Sequence, residues 1–554
     1  MTQRYRSPFV IRHIVYLPLN GVSLVAYPRF FEHNDGNFLV VAPPPITLER
    51  FLYETVGWLT GTQVDGIICH MFTFGDVAPM YPSDLAGAKV VFPEKALSVN
   101  VWKQVKNLQS IQSFDQDPWA LAIEMAHGQH KPFWAAMRFN DGHPLDYGMR
   151  SEFCLAHPEY RLGDRCGNPI HGPDPDGSIP ECVHLDFSIA DVRAHRLALV
   201  EDVCRRYDLD GFEWDFTRDF GHNFPQDKLA EGPAILTEYM REVRAALDRI
   251  GDQRGRPVEL GVRVPGTPAA CTAMGIEIER WIRDGIINVV TPSVYYDTSC
   301  ELPFDHFVEM AQASYCRVYA SVTEGVGPGR YRPPPIEAVR GAALNAWRQG
   351  VDGINLFNIH HHEIANQPED LAILSELGAA ETLHYKDKLY MLAGIGVPSQ
   401  SRFFGAAYDT AHKHQLPATI PAEDGEGLRV WLPVSDNLRQ ARADRLLDSV
   451  TLILDLLDVT GEEQIELLIN GTSIPFDEGR FDVSDQYPWN WNGQRGHFSV
   501  TFDVTRFSEN LQHGDNEIAV VLKDRPPDIA NPLVLYALRL WIKYRTVPMG
   551  CRGG

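Results

Sequence analysis

Three short stretches decide the fold: Val64-Asp65-Gly66-Ile67, Leu209-Asp210-Gly211-Phe212 and Val351-Asp352-Gly353-Ile354. A near copy is Arg283-Asp284-Gly285-Ile286. Each follows a helix-like segment and precedes an apolar run of strand length. The glycine reads as the residue that closes the helix, and the run after it as a buried parallel strand. The gaps from Gly211 to Gly285 and from Gly285 to Gly353 each hold two strand–helix units of roughly 30 to 40 residues. With the candidates between and before them, the count is eight strands, at 22–31, 66–72, 133–139, 211–216, 258–264, 286–294, 317–322 and 353–358. Eight parallel strands alternating with helices predict an α/β fold, a (β/α)8 barrel over residues 1–384.

Past about His384 the alternation stops. Runs at 428–434, 450–457, 464–469, 498–504, 517–522 and 533–544, separated by turn residues, predict a β-sandwich accessory domain over 420–554, with 385–419 as a connecting segment. Inside the barrel one connection is too long: some seventy residues, rich in Gly, Pro, His and Asp, separate Phe139 from Gly211. Such loops lie over the active face of a barrel.

The composition narrows the function. With 44% hydrophobic residues and 39 Pro and 44 Gly along its 554 residues, the chain is neither disordered, nor a coiled coil, nor a collagen. No apolar run approaches the ~20 residues of a membrane span. Lys and Arg number 50 against 73 Asp and Glu, a net charge of −23. That surface repels nucleic acid and anionic membranes, and admits an acidic substrate only where local arginines reverse the field. The nine cysteines show no C-x-x-C spacing, which argues against zinc and against a disulfide framework. Met1–Arg12 has no secretory pattern, so a cytoplasmic location is expected.

Barrel enzymes carry their chemistry at the carboxyl ends of the strands. The first strand ends in Glu32-His33-Asn34-Asp35-Gly36, and the third in Arg138-Phe139-Asn140-Asp141-Gly142-His143. The fourth reads Gly211-Phe212-Glu213-Trp214-Asp215-Phe216-Thr217-Arg218. The fifth carries Arg263, the sixth Tyr295 and Tyr296, the seventh Glu324, and the eighth Asn355 and Asn358. Alternation points Glu213 and Asp215 to one side. They are open to two readings: an internal ion pair with Arg138, Arg218 or Arg263, or sugar binding and acid–base work. Asn34-Asp35-Gly36 alone is a turn, of interest because the barrel sets it beside His143. His360-His361-His362-Glu363 reads as a solvated loop, since consecutive histidines cannot all face one ion.

Taken together, Asn34-Asp35-Gly36, Gly61-Thr62-Gln63-Val64-Asp65, Arg138-Phe139-Asn140-Asp141-Gly142-His143, Asp215-Phe216-Thr217-Arg218 and Leu356-Phe357-Asn358 resemble glycoside hydrolase family 156 over residues 20 to 385. Those are inverting exo-α-sialidases with a barrel and a β-rich domain. The resemblance implies a cofactor-free enzyme acting on sialylated glycans. Asp35 would be the acid at the leaving oxygen and His143 the base on water. Arg138 and Arg218 would hold the substrate carboxylate and Asn358 would bond the sugar, while Asp141 would orient His143. Asn140, Glu213, Asp215 and Tyr295 complete the expected substrate-binding set. Tyr295 or Tyr296 with Glu324 offers a retaining alternative. A neutral-glycan hydrolase using Glu213 and Asp215 is a second rival, and a non-catalytic sugar-binding protein a third. Trp489 and Trp491 leave the sandwich free to bind sugar or to buttress a homodimer.

Overall fold

In the computed structural model, eight parallel strands close into a barrel in sequence order. The structure describes residues 27–73, 77–96, 98–141, 149–163, 184–217, 223–294, 298–323, 334–359, 368–393, 414–422, 426–483 and 497–546. The strands are β1 (Phe30–Asn34), β2 (Gly66–His70), β3 (Phe133–Arg138), β4 (Gly211–Asp215), β5 (Glu259–Pro265), β6 (Val289–Ser293), β7 (Arg317–Thr323) and β8 (Gly353–Phe357). Helices such as Pro118–Gly128, Ala190–Arg206, Gly232–Arg254 and Ile336–Arg348 cover the outside. The first strand lies further along than the expected 22–31, and residues up to 26 fall outside the described part.

The Asp-Gly couplets build the floor of the barrel, by a different route from the one the sequence suggested. Gly66, Gly211 and Gly353 do not close helices. Each is the first residue of its strand, packed against an aromatic ring on the preceding strand. A methyl group at Gly66 would sit 2.5 Å from the Phe31 ring, at Gly211 2.4 Å from Trp134, and at Gly353 2.4 Å from Tyr319. The glycines are there because the rings fill the barrel. Phe31 meets Trp134 and Tyr319 edge-on, at 5.5 and 5.1 Å between centroids. The aspartates cap the same neighbours. Asp65 accepts from the backbone N–H of Phe30 at 2.7 Å, Asp210 from Phe133 at 2.8 Å, and Asp352 from Val318 at 2.9 Å.

The near copy behaves otherwise. Gly285, with φ of 66°, does close its turn, four residues before β6 begins, in a left-handed conformation that suits glycine. Asn288 takes over the aspartate's task, accepting from the N–H of Leu260 at 2.8 Å.

Two antiparallel sheets follow. One runs β9 (Lys388–Ala393), β17 (Val534–Tyr544), β11 (Leu447–Leu457), β15 (Phe498–Asp503), β14 (Arg480–Val483). The other runs β10 (Leu428–Val434), β16 (Gly514–Asp524), β12 (Gln464–Ile469), β13 (Thr472–Ile474). Leu432, Leu467, Ile518, Leu452, Val500 and Leu540 from the two sheets share one buried core. The segment expected to connect the domains contributes strands: Lys388–Ala393 and Ala418–Thr419 both pair with β17. Trp489 and Trp491 lie outside the described residues. Helix Ile336–Arg348 ties barrel to sandwich, with Asn345 Nδ2 donating to the Pro433 carbonyl at 3.0 Å and Arg348 Nε to Ser435 Oγ at 2.9 Å.

The floor yields a direct test. Gly211→Ala is expected to destabilise the fold by about 1–3 kcal/mol or more, because the indole cannot retreat from a filled interior. Gly285→Ala meets no neighbour and carries only its backbone strain, about 1 kcal/mol. Urea unfolding of the two variants should separate them, and equal losses would refute the steric role.

Candidate active site

At the carboxyl ends of β1 to β5, six ionisable side chains meet in the barrel mouth. Asp35 is presented by a tight turn in which Asn34 Oδ1 accepts from the Gly36 N–H at 2.9 Å and Gly36 takes a φ of 82°. Both Asp35 oxygens accept from Arg138 Nη2, each at 2.9 Å. The other arm of that guanidinium, Nη1, donates to Asp141 Oδ2 at 2.6 Å. On the far side, Asp215 accepts from Arg263 Nη1 at 3.2 and 3.3 Å and from the N–H and hydroxyl of Thr217 at 2.8 and 2.6 Å. Arg263 reaches on to Ser293 Oγ at 2.8 Å, and its guanidinium carbon lies 3.4 Å from the Phe357 ring centroid. Between the two ion pairs stands His70, the last residue of β2. Its Nε2 is 3.6 Å from Asp35 and 3.9 Å from Asp215. All six of Asp35, His70, Arg138, Asp141, Asp215 and Arg263 are buried.

One layer deeper, Glu213 is fully buried, with neither carboxyl oxygen in a hydrogen bond, facing His33 Nδ1 at 3.4 Å. Burial, with a smaller push from the Asp215 charge against the pull of Arg263, raises its pKa to about 8, so it is neutral at pH 7. His33 in turn stacks on His70 at 5.3 Å between ring centroids, with 21° between planes. Glu32, on the opposite side of β1, is also fully buried, and burial pushes its carboxyl well above the ordinary range.

The expected residues divide into three groups. Asp35, Arg138, Asp141, Glu213 and Asp215 are brought together. Asn358 borders them: its backbone N–H donates to the His33 carbonyl at 3.0 Å, and its Oδ1 accepts from Asn37 Nδ2 at 2.8 Å. Asn140 is turned to the backbone, donating to the Leu185 carbonyl at 2.9 Å and accepting from the Leu185 N–H at 3.0 Å. These two bonds clamp the chain before helix Ala190–Arg206. His143, Arg218, Tyr295, Tyr296, Glu324 and the 360–363 histidine run lie outside the described residues. The sequence reading passed over His70, although it ends a strand whose partners had all been inspected at that level. Among the described residues no group of three or more His, Cys, Asp or Glu is arranged to hold a metal. Cys69, Cys154, Cys204, Cys271, Cys300 and Cys316 are buried free thiols.

By its own strand pairing the chain is a (β/α)8 barrel followed by a β-sandwich, with a buried charge cluster at the carboxyl end of the barrel strands. No family profile and no curated protein matches it. Solved structures that resemble it include α-L-fucosidase isoenzyme 2 from Paenibacillus thiaminolyticus, at 15% identity and a TM-score of 0.40, covering 60% of this chain and 46% of that one. The glycoside hydrolase domain of PgaB from Bordetella bronchiseptica is 10% identical with a TM-score of 0.37, covering 64% of this chain and 99% of that one. The exo-β-N-acetylglucosaminidase of Vibrio harveyi is 8% identical with a TM-score of 0.35, covering 64% and 53%. The chain thus spans about half the length of the fucosidase and of the glucosaminidase.

The buried carboxyl sets a pH dependence. Glu213 is raised from 4.5 to about 8, so the folded protein holds a proton that the unfolded chain releases. Its contribution is full below about pH 4.5 and lost as pH rises through about 8, by a few kcal/mol at most. Glu213→Gln is therefore expected to unfold at a higher urea concentration than the parent at pH 8.5, with the gap narrowing towards pH 5. A gap that does not change with pH would contradict a neutral Glu213.

Proposed function

We propose that the chain is a glycoside hydrolase that removes terminal sialic acid, or a related nine-carbon acidic sugar, with inversion. The observation that carries the reading is the contact between Asp35 and Arg138 at the barrel mouth. These are the two positions that the family resemblance assigns to the acid and to the carboxylate holder. A planar guanidinium suits a substrate carboxylate because it offers two parallel N–H donors. Without substrate, Asp35 and Asp141 occupy those donors. An arriving substrate carboxylate would replace Asp35 on Arg138, leaving the Asp35 carboxyl to carry the proton that the leaving oxygen needs. His143, the residue the resemblance assigns as base, would take the proton from water on the opposite face of the sugar.

The neutral-glycan rival fares worse. Asp215 is bound by Arg263 and Thr217, and Glu213 lies beneath it on the same strand, with both carboxyls fully buried. Two carboxyls stacked along the barrel axis cannot flank a scissile bond from opposite sides.

Proton NMR of the protein with α-2,3- and α-2,6-sialyllactose tests the proposal. β-Sialic acid is expected as the first anomer released. α-Sialic acid first would keep the substrate and overturn the inverting mechanism, and no release from either would overturn the substrate. Asp35→Asn is expected to lower kcat by about 10²–10⁴ while the protein stays folded, because Asp141 still pairs Arg138. Arg138→Ala would take the shared guanidinium from two buried carboxylates, Asp35 and Asp141, at a cost of about 3–5 kcal/mol. Arg138→Lys is the better probe: it keeps the charge, loses the fork, and is expected to raise KM roughly tenfold or more. An unchanged KM would remove Arg138 from the binding site.

A further inference from the structure

We propose that the β-sandwich carries a binding site of its own, for a sugar that bears a carboxylate. The site is a cavity of about 560 Å³ where β11 begins and where β15 and β17 end. Arg442, Arg445, Arg506 and Arg545 line it together with Asp448 and Glu478. Four guanidiniums on one cavity stand out on a chain with a net charge of −23.

The four arginines fall into two kinds. Arg506 Nη2 donates to both oxygens of Glu478, each at 2.7 Å, and Arg545 Nε to Asp448 Oδ1 at 2.9 Å. Arg442 Nη1 donates to the Ser508 hydroxyl at 3.0 Å, and among the described residues neither Arg442 nor Arg445 pairs with a carboxylate. Both are exposed. The backbone under Arg445 is a second, independent observation. Helix Leu438–Ala443 ends with the Leu446 N–H bonded to the Ala441 carbonyl at 2.9 Å and the Arg445 N–H to the Arg442 carbonyl at 3.0 Å. This closure holds Arg445 at a φ of 59°, the left-handed position that helix ends give to glycine. A long side chain is strained there, and such strain is kept where the side chain has a task. Here the strained residue sends its guanidinium to the cavity wall.

The donors and acceptors of the wall define the ligand. A guanidinium without an anion offers a carboxylate two parallel N–H bonds. Asp448 and Glu478 have lone pairs beyond those that face their arginines. A hydroxyl can donate to a carboxylate while it accepts from a guanidinium, so a ring of hydroxyls fits a wall on which the two alternate. Phosphate cannot make that exchange, and its larger charge would meet Asp448, Glu478 and Asp503. Nucleic acid would in addition meet the field of the whole chain. A sugar with one carboxylate satisfies both halves of the wall. The site lies wholly within the sandwich and uses no residue of the barrel mouth, so it stands apart from the sialidase reading. It would hold an acidic glycan on the protein without taking part in its cleavage.

Saturation-transfer NMR titrations of the full chain test the site with two matched pairs of probes. Methyl β-glucuronide is compared with methyl β-glucoside, and methyl α-sialoside with its uncharged methyl ester. At least one acid is expected to bind roughly five- to tenfold more tightly than its uncharged partner. That preference should shrink in Arg445→Gly, and also in Arg442→Gln, which keeps a donor for Ser508. Arg445→Gly is expected to unfold at a higher urea concentration than the parent, because glycine relieves the left-handed strain. Binding lost while stability rises is a result that a merely structural arginine would not give. No preference for either acid, or a preference that is the same in the parent and both variants, overturns the proposal. Inorganic phosphate that displaces the acid at equal concentration would also overturn it, in favour of a general anion site. Neither readout involves turnover, so this site and the sialidase reading fail separately.

Discussion

The barrel depends on one steric constraint: three aromatic rings must fit between strands about 4.8 Å apart. They fit because a glycine begins the next strand opposite each ring. Phe31 pairs with Gly66, Trp134 with Gly211, and Tyr319 with Gly353. The aspartate before each glycine binds the N–H at the start of the ring's own strand, so steric fit and hydrogen bonding fix the same register. A slip of one residue would turn the ring outward and break that hydrogen bond together. The mouth inherits this register. Asp35, His70, Arg138 and Asp215 each stand four residues beyond Phe31, Gly66, Trp134 and Gly211, two pleats along their strands. At about 3.3 Å per residue, the floor sets the height of the charged groups some 13 Å above it.

What lies between floor and mouth is not what stability alone would select. Barrel interiors are commonly filled with branched apolar side chains. Here Glu213, Thr291 and Asn355 occupy the middle, all fully buried and without hydrogen-bonded protein partners at their side-chain oxygens. Above them two ion pairs are withdrawn from water. Buried ion pairs seldom out-stabilise apolar residues of the same volume. A barrel that buries ionisable groups at the carboxyl ends of its strands gives up stability there and recovers it at the aromatic floor and in the helix layer. That distribution is the usual mark of a functional site.

Much of this was legible in the sequence, and the remainder was hidden for physical reasons. The Asp-Gly couplets located the strands because the constraint behind them is local in sequence on one side. Their actual partners, Phe31, Trp134 and Tyr319, lie on other strands, and no periodicity reports a contact across a sheet. The glycines were therefore assigned a helix-closing role that only Gly285 performs. Asp35, Arg138 and Asp215 were visible because polar residues at strand ends stand out against apolar runs. His70 was concealed by Gly66-Ile67-Ile68-Cys69, whose apolar character reads as core to its last residue. Asn140 shows another limit: an amide between a strand-end arginine and an aspartate reads as a ligand, and nothing in the sequence announces its two hydrogen bonds to the Leu185 backbone. The early start of the sandwich at Lys388 was obscured because an edge strand this far from its partner, β17, has no hairpin to announce it.

The charge balance also changes how an acidic substrate can be attracted. With −23 on the chain, the sequence suggests that mouth arginines reverse the local field. In the folded protein Arg138 is already committed to Asp35 and Asp141, and Arg263 to Asp215. Neither of these two guanidiniums is spare charge, so they add little long-range attraction into the mouth. On the proposed sialidase reading, binding of a substrate carboxylate at Arg138 would be an exchange, with one anion leaving the guanidinium as another arrives. Exchange adds little to affinity, because the bond gained resembles the bond lost. On that reading it would convert binding into a chemical signal, because the displaced group would be Asp35. A neutral sugar of the same shape would find the mouth open but leave Asp35 paired. Discrimination would therefore appear in turnover more than in binding, as expected where interaction energy is realised only on the way to the transition state.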